Sequence, residues 1–212
     1  MLAISMVFAC AIQTNTHRNP KFFHEAAHGM DLRFSRGDMT LHAKHQALRQ
    51  LLADATLIDV QWVVVFGSLL GWLHTGDVLP WDDDMDLALF LDGDVSTLRA
   101  ANGQLINNTY IEVNPFLHER SQADVDNQID ARAISLDTGV YIDITFPTRY
   151  GSQYKTKSGR TMRVSDIVPA RASVFAGSHV HVPRNPFGFL QRNYGCVHAT
   201  AVKPVEAIRG QC

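Results

Sequence analysis

The feature of this sequence that most constrains its fold is an acidic cluster joined to an apolar run. Four of the five positions 82–86 are aspartates, namely Asp82, Asp83, Asp84 and Asp86. An apolar run over residues 87–91 follows, which predicts a buried strand over residues 85–91. Because side chains alternate along a strand, Asp84 and Asp86 share one face while Met85 points into the core. Two such carboxylates repel each other unless a cation lies between them, and hard oxygen ligands suit Mg²⁺ or Mn²⁺.

A second apolar run precedes the acidic cluster and ends in a glycine. Residues 62–66 predict a buried strand, and Gly67 with Ser68 predicts a tight turn into a short helical segment. Glycine has no side chain, so the backbone N–H groups of such a turn can approach a phosphate closely. Gly67 and Ser68 are therefore candidate phosphate-binding residues.

A third carboxylate lies in a strand-like segment further along the chain. Residues 140–146 alternate with a period of two after a turn over residues 137–139, which places Tyr141, Asp143 and Thr145 on one face. A carboxylate in an apolar strand is costly to bury unless it meets a cation or hydrogen-bond donors. Asp143 is thus a candidate to join the acidic cluster.

These motifs resemble those of the LicD family of phosphotransferases. Residues 67–86 read GSLLGWLHTGDVLPWDDDMD, which is similar to the family's G-T-L-L-G followed by I-P-W-D-D-D-I-D, and residues 141–145 are similar to its Y-I-D-I-F. The resemblance implies an α/β (α+β) fold of the nucleotidyltransferase type, a mixed sheet flanked by helices. It also implies that Asp143 completes a site for one or two Mg²⁺ or Mn²⁺ ions with Asp84 and Asp86, and that Asp143 is the best candidate base.

The sequence is closer still to a fungal group within this family, the mannosylphosphate-transfer proteins. Residues 127–132 resemble that group's N-x-I-D-A-R segment, which makes Arg132 a candidate for binding the donor phosphate; a salt bridge to one of the aspartates is the alternative. His74 stands where the family usually has a basic pair, so it is either a phosphate contact or a structural histidine.

Residues 21–28 carry a competing motif. They read KFFHEAAH and include H-E-x-x-H, in which His24 and His28 on a helix bind zinc and Glu25 serves as general base in metalloproteases. The same residues resemble K-[YF]-F-H-E-P-G-H of the fungal group, where proline disfavours that helix. We therefore favour a packing or substrate-cleft role for both histidines over a zinc peptidase.

Length and composition indicate one globular domain. The chain has 212 residues with 46% hydrophobic and 19% charged residues, and its net charge of −2 provides no general attraction for nucleic acid. We predict an apolar leader or signal remnant over residues 1–20, a LicD-like domain over residues 21–198 and a tail over residues 199–212. Helices are expected over residues 40–58, 95–107 and 187–194, a hairpin around Gly177 and Ser178, and a basic loop or hairpin over residues 150–163.

The resemblance implies a metal-dependent transfer of a sugar phosphate to a glycan hydroxyl. The donor would be a nucleotide sugar such as GDP-mannose, the transferred group mannose-1-phosphate and the acceptor a mannose-rich glycan. Transfer of choline phosphate or ribitol phosphate from a CDP-linked donor is one alternative. A non-catalytic accessory protein that assists a partner transferase is another. The resemblance places the protein in the secretory pathway, in the Golgi lumen or associated with its membrane.

Overall fold

The computed structural model describes residues 39–90, 94–114 and 129–195 of the chain. The predicted leader, the tail, the motif with His24, Glu25 and His28, and the outer limits of the predicted domain lie outside these residues. The helices are α1 (Leu41–Ala55), α2 (Phe66–Thr75), α3 (Asp94–Ala100), α4 (Val164–Ile167) and α5 (Pro186–Tyr194). The strands are β1 (Val63–Val64), β2 (Asp86–Ala88), β3 (Leu105–Ile106), β4 (Thr109–Val113), β5 (Ala131–Ser135), β6 (Tyr141–Thr145), β7 (Thr148–Tyr150), β8 (Gln153–Lys155), β9 (Thr161–Arg163), β10 (Arg171–Phe175) and β11 (Ser178–Val182).

Eight of these strands form one mixed sheet, in the order β10-β11-β1-β2-β6-β5-β4-β3. The pairs β1–β11 and β2–β6 are parallel, and the other neighbours are antiparallel. Helix α1 packs across β4, β5 and β6, and α2 packs beside β1 and β2. This is the predicted mixed sheet flanked by helices, with β2 near its centre. In the part of the chain that the structure describes, no helix is long and apolar enough to cross a membrane.

Helix α1 begins where the sequence predicted. The hydroxyl of Thr40 accepts a hydrogen bond from the Ala43 N–H at 3.3 Å, which satisfies one of the free donors of the first turn. Its buried stripe packs on the sheet and consists of Leu48, Leu51, Leu52 and Ala55. The helix ends at Ala55, a few residues before the predicted position 58.

The predicted alternation around the acidic cluster is also observed. Met85 and Leu87 are fully buried, whereas Asp86 is partly exposed. The regular strand is shorter than residues 85–91, since β2 covers Asp86–Ala88 only.

The prediction for residues 62–68 was wrong in one respect. The strand ends at Val64, and Phe66 is already the first residue of α2 rather than part of the strand. Phe66 has a positive φ of 49°, and its ring packs 5.7 Å from the ring of Phe189 in α5. Phe66 therefore combines a positive φ, which residues other than glycine rarely adopt, with a long-range contact of its ring.

The helix predicted over residues 95–107 was too long. Helix α3 ends at Ala100, and Leu105–Ile106 forms β3. Gly103 turns the chain with a φ of 77°, and its N–H donates to the Ile111 carbonyl at 2.9 Å. Pairing with β4 therefore competes successfully against continuation of the helix.

A small second sheet occupies the basic segment at residues 150–163. Strands β7, β8 and β9 form an antiparallel sheet. It is anchored to the main body because Tyr154 and Met162 are buried and the Tyr154 ring meets the Phe90 ring edge-on at 5.0 Å. The hairpin predicted at Gly177 and Ser178 is confirmed as β10–β11, and the closing helix as α5.

Candidate functional site

The two central strands bring two of the predicted carboxylates together. In the parallel pair β2–β6, Asp86 lies directly opposite Asp143. Neighbouring strands are about 4.8 Å apart, so two side chains at matched positions on one face are close neighbours. The alternation that was predicted for each strand separately therefore becomes a shared acidic face.

The first turn of α2 lies against the same acidic residues. The Ser68 hydroxyl accepts a hydrogen bond from the Asp86 N–H at 2.8 Å. A Cβ atom at Gly67 would lie 3.1 Å from Oδ2 of Asp82, which is tighter than ordinary contact. Gly67 and Ser68 thus fix how closely the helix approaches the aspartates. That they also bind phosphate stays a prediction.

Helix α1 holds the loop that carries the aspartates. The Lys44 ammonium donates to Asp83 at 2.7 Å, and the Nε2 atom of His45 lies 2.7 Å from the Asp82 carbonyl oxygen. Arg49 donates from two nitrogens to Asp77 at 2.7 to 3.1 Å. These three contacts were not predicted, because the sequence separation of 28 to 39 residues leaves no local signal for them.

The acidic residues perturb one another strongly. Burial raises the pKa of Asp86 well above its usual range, and the charges of Asp84, Asp143 and Asp82 raise it further. Burial, followed by a hydrogen bond with Asp84 and that residue's charge, raises the pKa of Asp82 to about 7. Perturbed carboxylates that repel one another are typical of sites that bind a cation.

The carboxylate oxygens of Asp84, Asp86 and Asp143 are ligands of the kind that a hard divalent cation prefers. The three side chains do not converge on one position in this structure. Within residues 39–90, 94–114 and 129–195, no group of three histidine, cysteine, aspartate or glutamate side chains is close enough to hold a metal ion. Asp143 is also engaged by a cation of the protein itself. Metal binding would therefore require the carboxylate of Asp143 to turn or to be shared.

That cation is Arg132, which occupies the matched position on β5. Its Nε atom donates to Oδ1 of Asp143 at 2.7 Å, and its guanidinium carbon lies 4.2 Å from the centre of the Tyr141 ring. Of the two alternatives for Arg132, the salt bridge to an aspartate is the contact present in the structure. Phosphate binding by Arg132 remains a prediction and would have to coexist with this ion pair.

Glu112 extends this row of charged residues onto a fourth strand. It lies opposite Arg132 in the β4–β5 pair, so that Asp86, Asp143, Arg132 and Glu112 occupy matched positions on four adjacent strands. Glu112 is only 7% exposed, and its Oε2 atom is buried without a hydrogen-bond partner. Burial raises the pKa of Glu112 and the charge of Arg132 lowers it, and the net result is a pKa of about 8. The alternating pattern of residues 110–113 could have indicated a polar position here, but not its partner.

His74 lies at the other end of α2 from the acidic face. It is six residues beyond Ser68, which corresponds to about 9 Å along a helix axis. Its Nε2 atom is buried and lacks a hydrogen-bond partner. The geometry of the helix therefore favours the structural alternative for His74, and a phosphate contact remains untested.

Arg160 is a cation near the acidic face, and in the sequence it is one of the four basic residues of the segment over residues 150–163. It follows the turn between β8 and β9, and its guanidinium carbon lies 5.0 Å from the centre of the Phe66 ring. Its charge is close enough to Asp86 to oppose the rise in the pKa of that carboxyl. The basic segment was recognised, but its position beside α2 depends on how the small sheet packs.

Comparisons with known proteins agree with this geometry. A family model described as "LicD/FKTN/FKRP, nucleotidyltransferase domain" matches residues 59–185, a range that contains Gly67, Asp86 and Asp143. The chain is 30% identical over 160 residues to "Mannosyltransferase regulator 4" of Saccharomyces cerevisiae, covering 64% of this chain and 14% of that protein.

Two further relatives match the chain, one with lower identity and one over fewer residues. The chain is 23% identical over 181 residues to "Ribitol 5-phosphate transferase FKRP" of Mus musculus, covering 73% of this chain and 32% of that protein. It is 32% identical over 95 residues to "Mannosyltransferase regulator 14" of Saccharomyces cerevisiae, covering 37% of this chain and 9% of that protein. The chain thus spans a third or less of the length of each of these relatives.

Proposed function

The chain belongs to the LicD/FKTN/FKRP family, and from that membership we propose that it is a metal-dependent phosphotransferase acting on glycans. It would move a phosphate-linked group from a nucleotide donor to a sugar hydroxyl. The observation that carries this proposal is the placement of Asp86 opposite Asp143 on adjacent central strands, with Asp84 and Asp82 close enough to raise the pKa of Asp86.

The metal would be held by Asp84, Asp86 and Asp143. Mg²⁺ or Mn²⁺ bound there supplies charge that neutralises the phosphates of the donor. The first turn of α2 lies against this face, since the Ser68 hydroxyl accepts a hydrogen bond from the Asp86 N–H. Its backbone N–H groups would bind a phosphate of the donor. The chain's own part in the reaction is therefore mainly positioning and electrostatics, as phosphoryl transfer requires.

Asp143 would accept the proton of the acceptor hydroxyl. It lies in the acidic row beside Arg132, whose ion pair at 2.7 Å restricts the orientation of the carboxylate. A carboxylate positioned in this way would act as the base when the hydroxyl attacks. Arg132 is held in turn by stacking on Tyr141.

We propose GDP-mannose as the donor, mannose-1-phosphate as the transferred group and a mannose-rich glycan as the acceptor, in the secretory pathway or Golgi. The names of the yeast relatives refer to mannosyl transfer, which supports this choice. The name of the mouse relative refers to transfer of ribitol 5-phosphate, which supports ribitol phosphate as the alternative transferred group.

A second function has a specific observation in its favour. Two of the relatives are named regulators of a mannosyltransferase, which supports a non-catalytic role in a complex with a partner transferase. The two functions make different predictions, because a regulator need not bind the donor.

The test is calorimetric titration of GDP-mannose and CDP-ribitol into the protein with and without Mn²⁺. The double variant Asp84→Asn/Asp86→Asn is compared with Asp137→Asn, which alters an exposed carboxylate of the β5–β6 turn. We expect metal-dependent binding of one donor that the double variant loses and the control keeps. If the folded wild-type protein binds neither donor, the transferase proposal fails and the regulator is favoured.

A further inference from the structure

We propose that Arg160 is a donor-binding residue, whose guanidinium contacts a phosphate of the nucleotide donor beside the first turn of α2. This inference rests on the proposed function and extends it, since it assigns donor recognition to the small sheet β7–β9.

The backbone at Arg160 is fixed by the turn that precedes it. The Arg160 N–H donates to the Thr156 hydroxyl at 3.1 Å, and the Thr156 N–H donates to the Arg160 carbonyl at 2.9 Å. Gly159 closes the turn with a φ of 84°, and its N–H donates to the Thr156 carbonyl at 2.9 Å. The arginine is thus presented from a closed turn, and its sheet is anchored by buried Tyr154 and Met162.

The guanidinium lies where a donor phosphate would need a cation. It is over the ring of Phe66, the first residue of α2, and its charge acts on Asp86. Its own residue is exposed, so a ligand can reach it from solvent. A cation there lies over the first residue of α2, at the end where a helix leaves N–H groups unpaired, and its charge acts on one of the carboxylates that would hold the metal.

The chemistry of arginine matches this task. Its planar fork forms paired hydrogen bonds to phosphate, and contacts of this kind are stronger than those between neutral groups. The guanidinium carbon lies 5.0 Å from the centre of the Phe66 ring, and Arg160 is an exposed residue. A cavity of about 220 Å³ opens beside the turn and is lined by Tyr150, Lys155, Thr156, Lys157, Ser158 and Gly159. Two lysines, Lys155 and Lys157, therefore line a cavity next to the turn that carries Arg160.

The test compares Arg160→Gln and Arg160→Lys with Arg171→Gln, a control on the edge strand β10 at the far side of the main sheet. Affinities for GDP-mannose, CDP-ribitol and inorganic pyrophosphate are measured by calorimetry with Mn²⁺, and Mn²⁺ alone is titrated in parallel. Loss of one charged contact predicts about a ten- to hundredfold weaker donor affinity for Arg160→Gln. Arg160→Lys should recover part of the loss, and the control should change little. The affinity for Mn²⁺ alone should not fall in Arg160→Gln, because a cation that acts on Asp86 has been removed.

The outcomes separate this inference from the function on which it rests. A wild-type protein that binds a donor while Arg160→Gln binds it equally well, with both folded by circular dichroism, overturns the role of Arg160 alone. Equal losses for Arg160→Gln and Arg171→Gln would show general attraction rather than a specific contact, and would also overturn it. A wild-type protein that binds none of the three probes overturns both proposals.

Discussion

The replacement Glu112→Gln should remove a large part of the pH dependence of stability. Glu112 is buried at the end of the charged row, and its pKa is raised from 4.5 to about 8, first by burial and against the opposing charge of Arg132. In the unfolded chain the carboxyl loses its proton near its ordinary pKa. Between these two values the folded protein keeps a proton that the unfolded chain releases, so stability falls as the pH rises.

The magnitude follows from the shift. A pKa rise from 4.5 to about 8, at about 1.4 kcal/mol per pKa unit, lowers the free energy of unfolding by about 5 kcal/mol as the pH increases across this window. Below pH 4.5 the carboxyl is protonated in both states and contributes nothing to this difference. Glutamine has nearly the same shape and no charge, so the variant should lack this loss. We expect Glu112→Gln to be more stable than the wild type by several kcal/mol at pH 8 and by much less at pH 4.5.

The assay is urea unfolding at pH 4.5, 6, 7 and 8, without divalent cations and at constant ionic strength. Other groups titrate in the same window, but they are present in both proteins and cancel in the difference between them. The variant Asp59→Asn, which alters an exposed carboxylate, serves as control. Its free energy of unfolding should differ from that of the wild type by the same amount at every pH. A difference between wild type and Glu112→Gln that stays constant across the window would refute the reasoning.

Three further replacements test the packing around the site by urea unfolding. Arg132→Ala should lower the free energy of unfolding by about 3 kcal/mol, because it removes the ion pair of the partly buried Asp143 carboxylate. A decrease below about 1 kcal/mol, which is typical of an exposed ion pair, would contradict this. Gly71→Ala should lower the free energy of unfolding by about 1–3 kcal/mol, because the new Cβ would lie 2.5 Å from the backbone carbonyl oxygen of Asp77. Alanine otherwise favours helices, so a variant more stable than the wild type would disprove this clash. Asp54→Ala should cost about 2–3 kcal/mol through loss of three hydrogen bonds to a buried carboxylate, and an unchanged midpoint would count against it.

The local pattern of the sequence predicts the strands that carry the site. Met85 and Leu87 are buried and Asp86 is not, because the period of two in a strand is a local property. The same reasoning placed Asp143 on the less buried face of β6. The family resemblance then connected the two strands, which no local pattern could do.

Element boundaries were less predictable. Asn102 and Gly103 are a local helix-stop signal that the prediction of a helix over residues 95–107 did not use, and β3 beyond them pairs with β4. At the early start of α2, the ring of Phe66 packs against the ring of Phe189, more than a hundred residues away. Tertiary contacts of this kind override local preference.

The charged partners of the site were the least predictable part. Lys44, His45 and Arg49 reach the acidic loop from α1, and Arg160 reaches it from the small sheet. Exposed basic residues are common in any sequence, so their type alone does not distinguish a partner of the site from a solvated side chain. Their role becomes visible only when the elements are packed.

Product formation tests the central claim most directly. The protein is incubated with GDP-mannose or CDP-ribitol, Mn²⁺ and a short mannose oligosaccharide, and the oligosaccharide is analysed by mass spectrometry. We predict a mass increase equal to the transferred sugar phosphate with one donor, absent without metal and absent in Asp143→Asn. Binding of a donor to the wild-type protein with no modified oligosaccharide would contradict a transferase and favour the regulator.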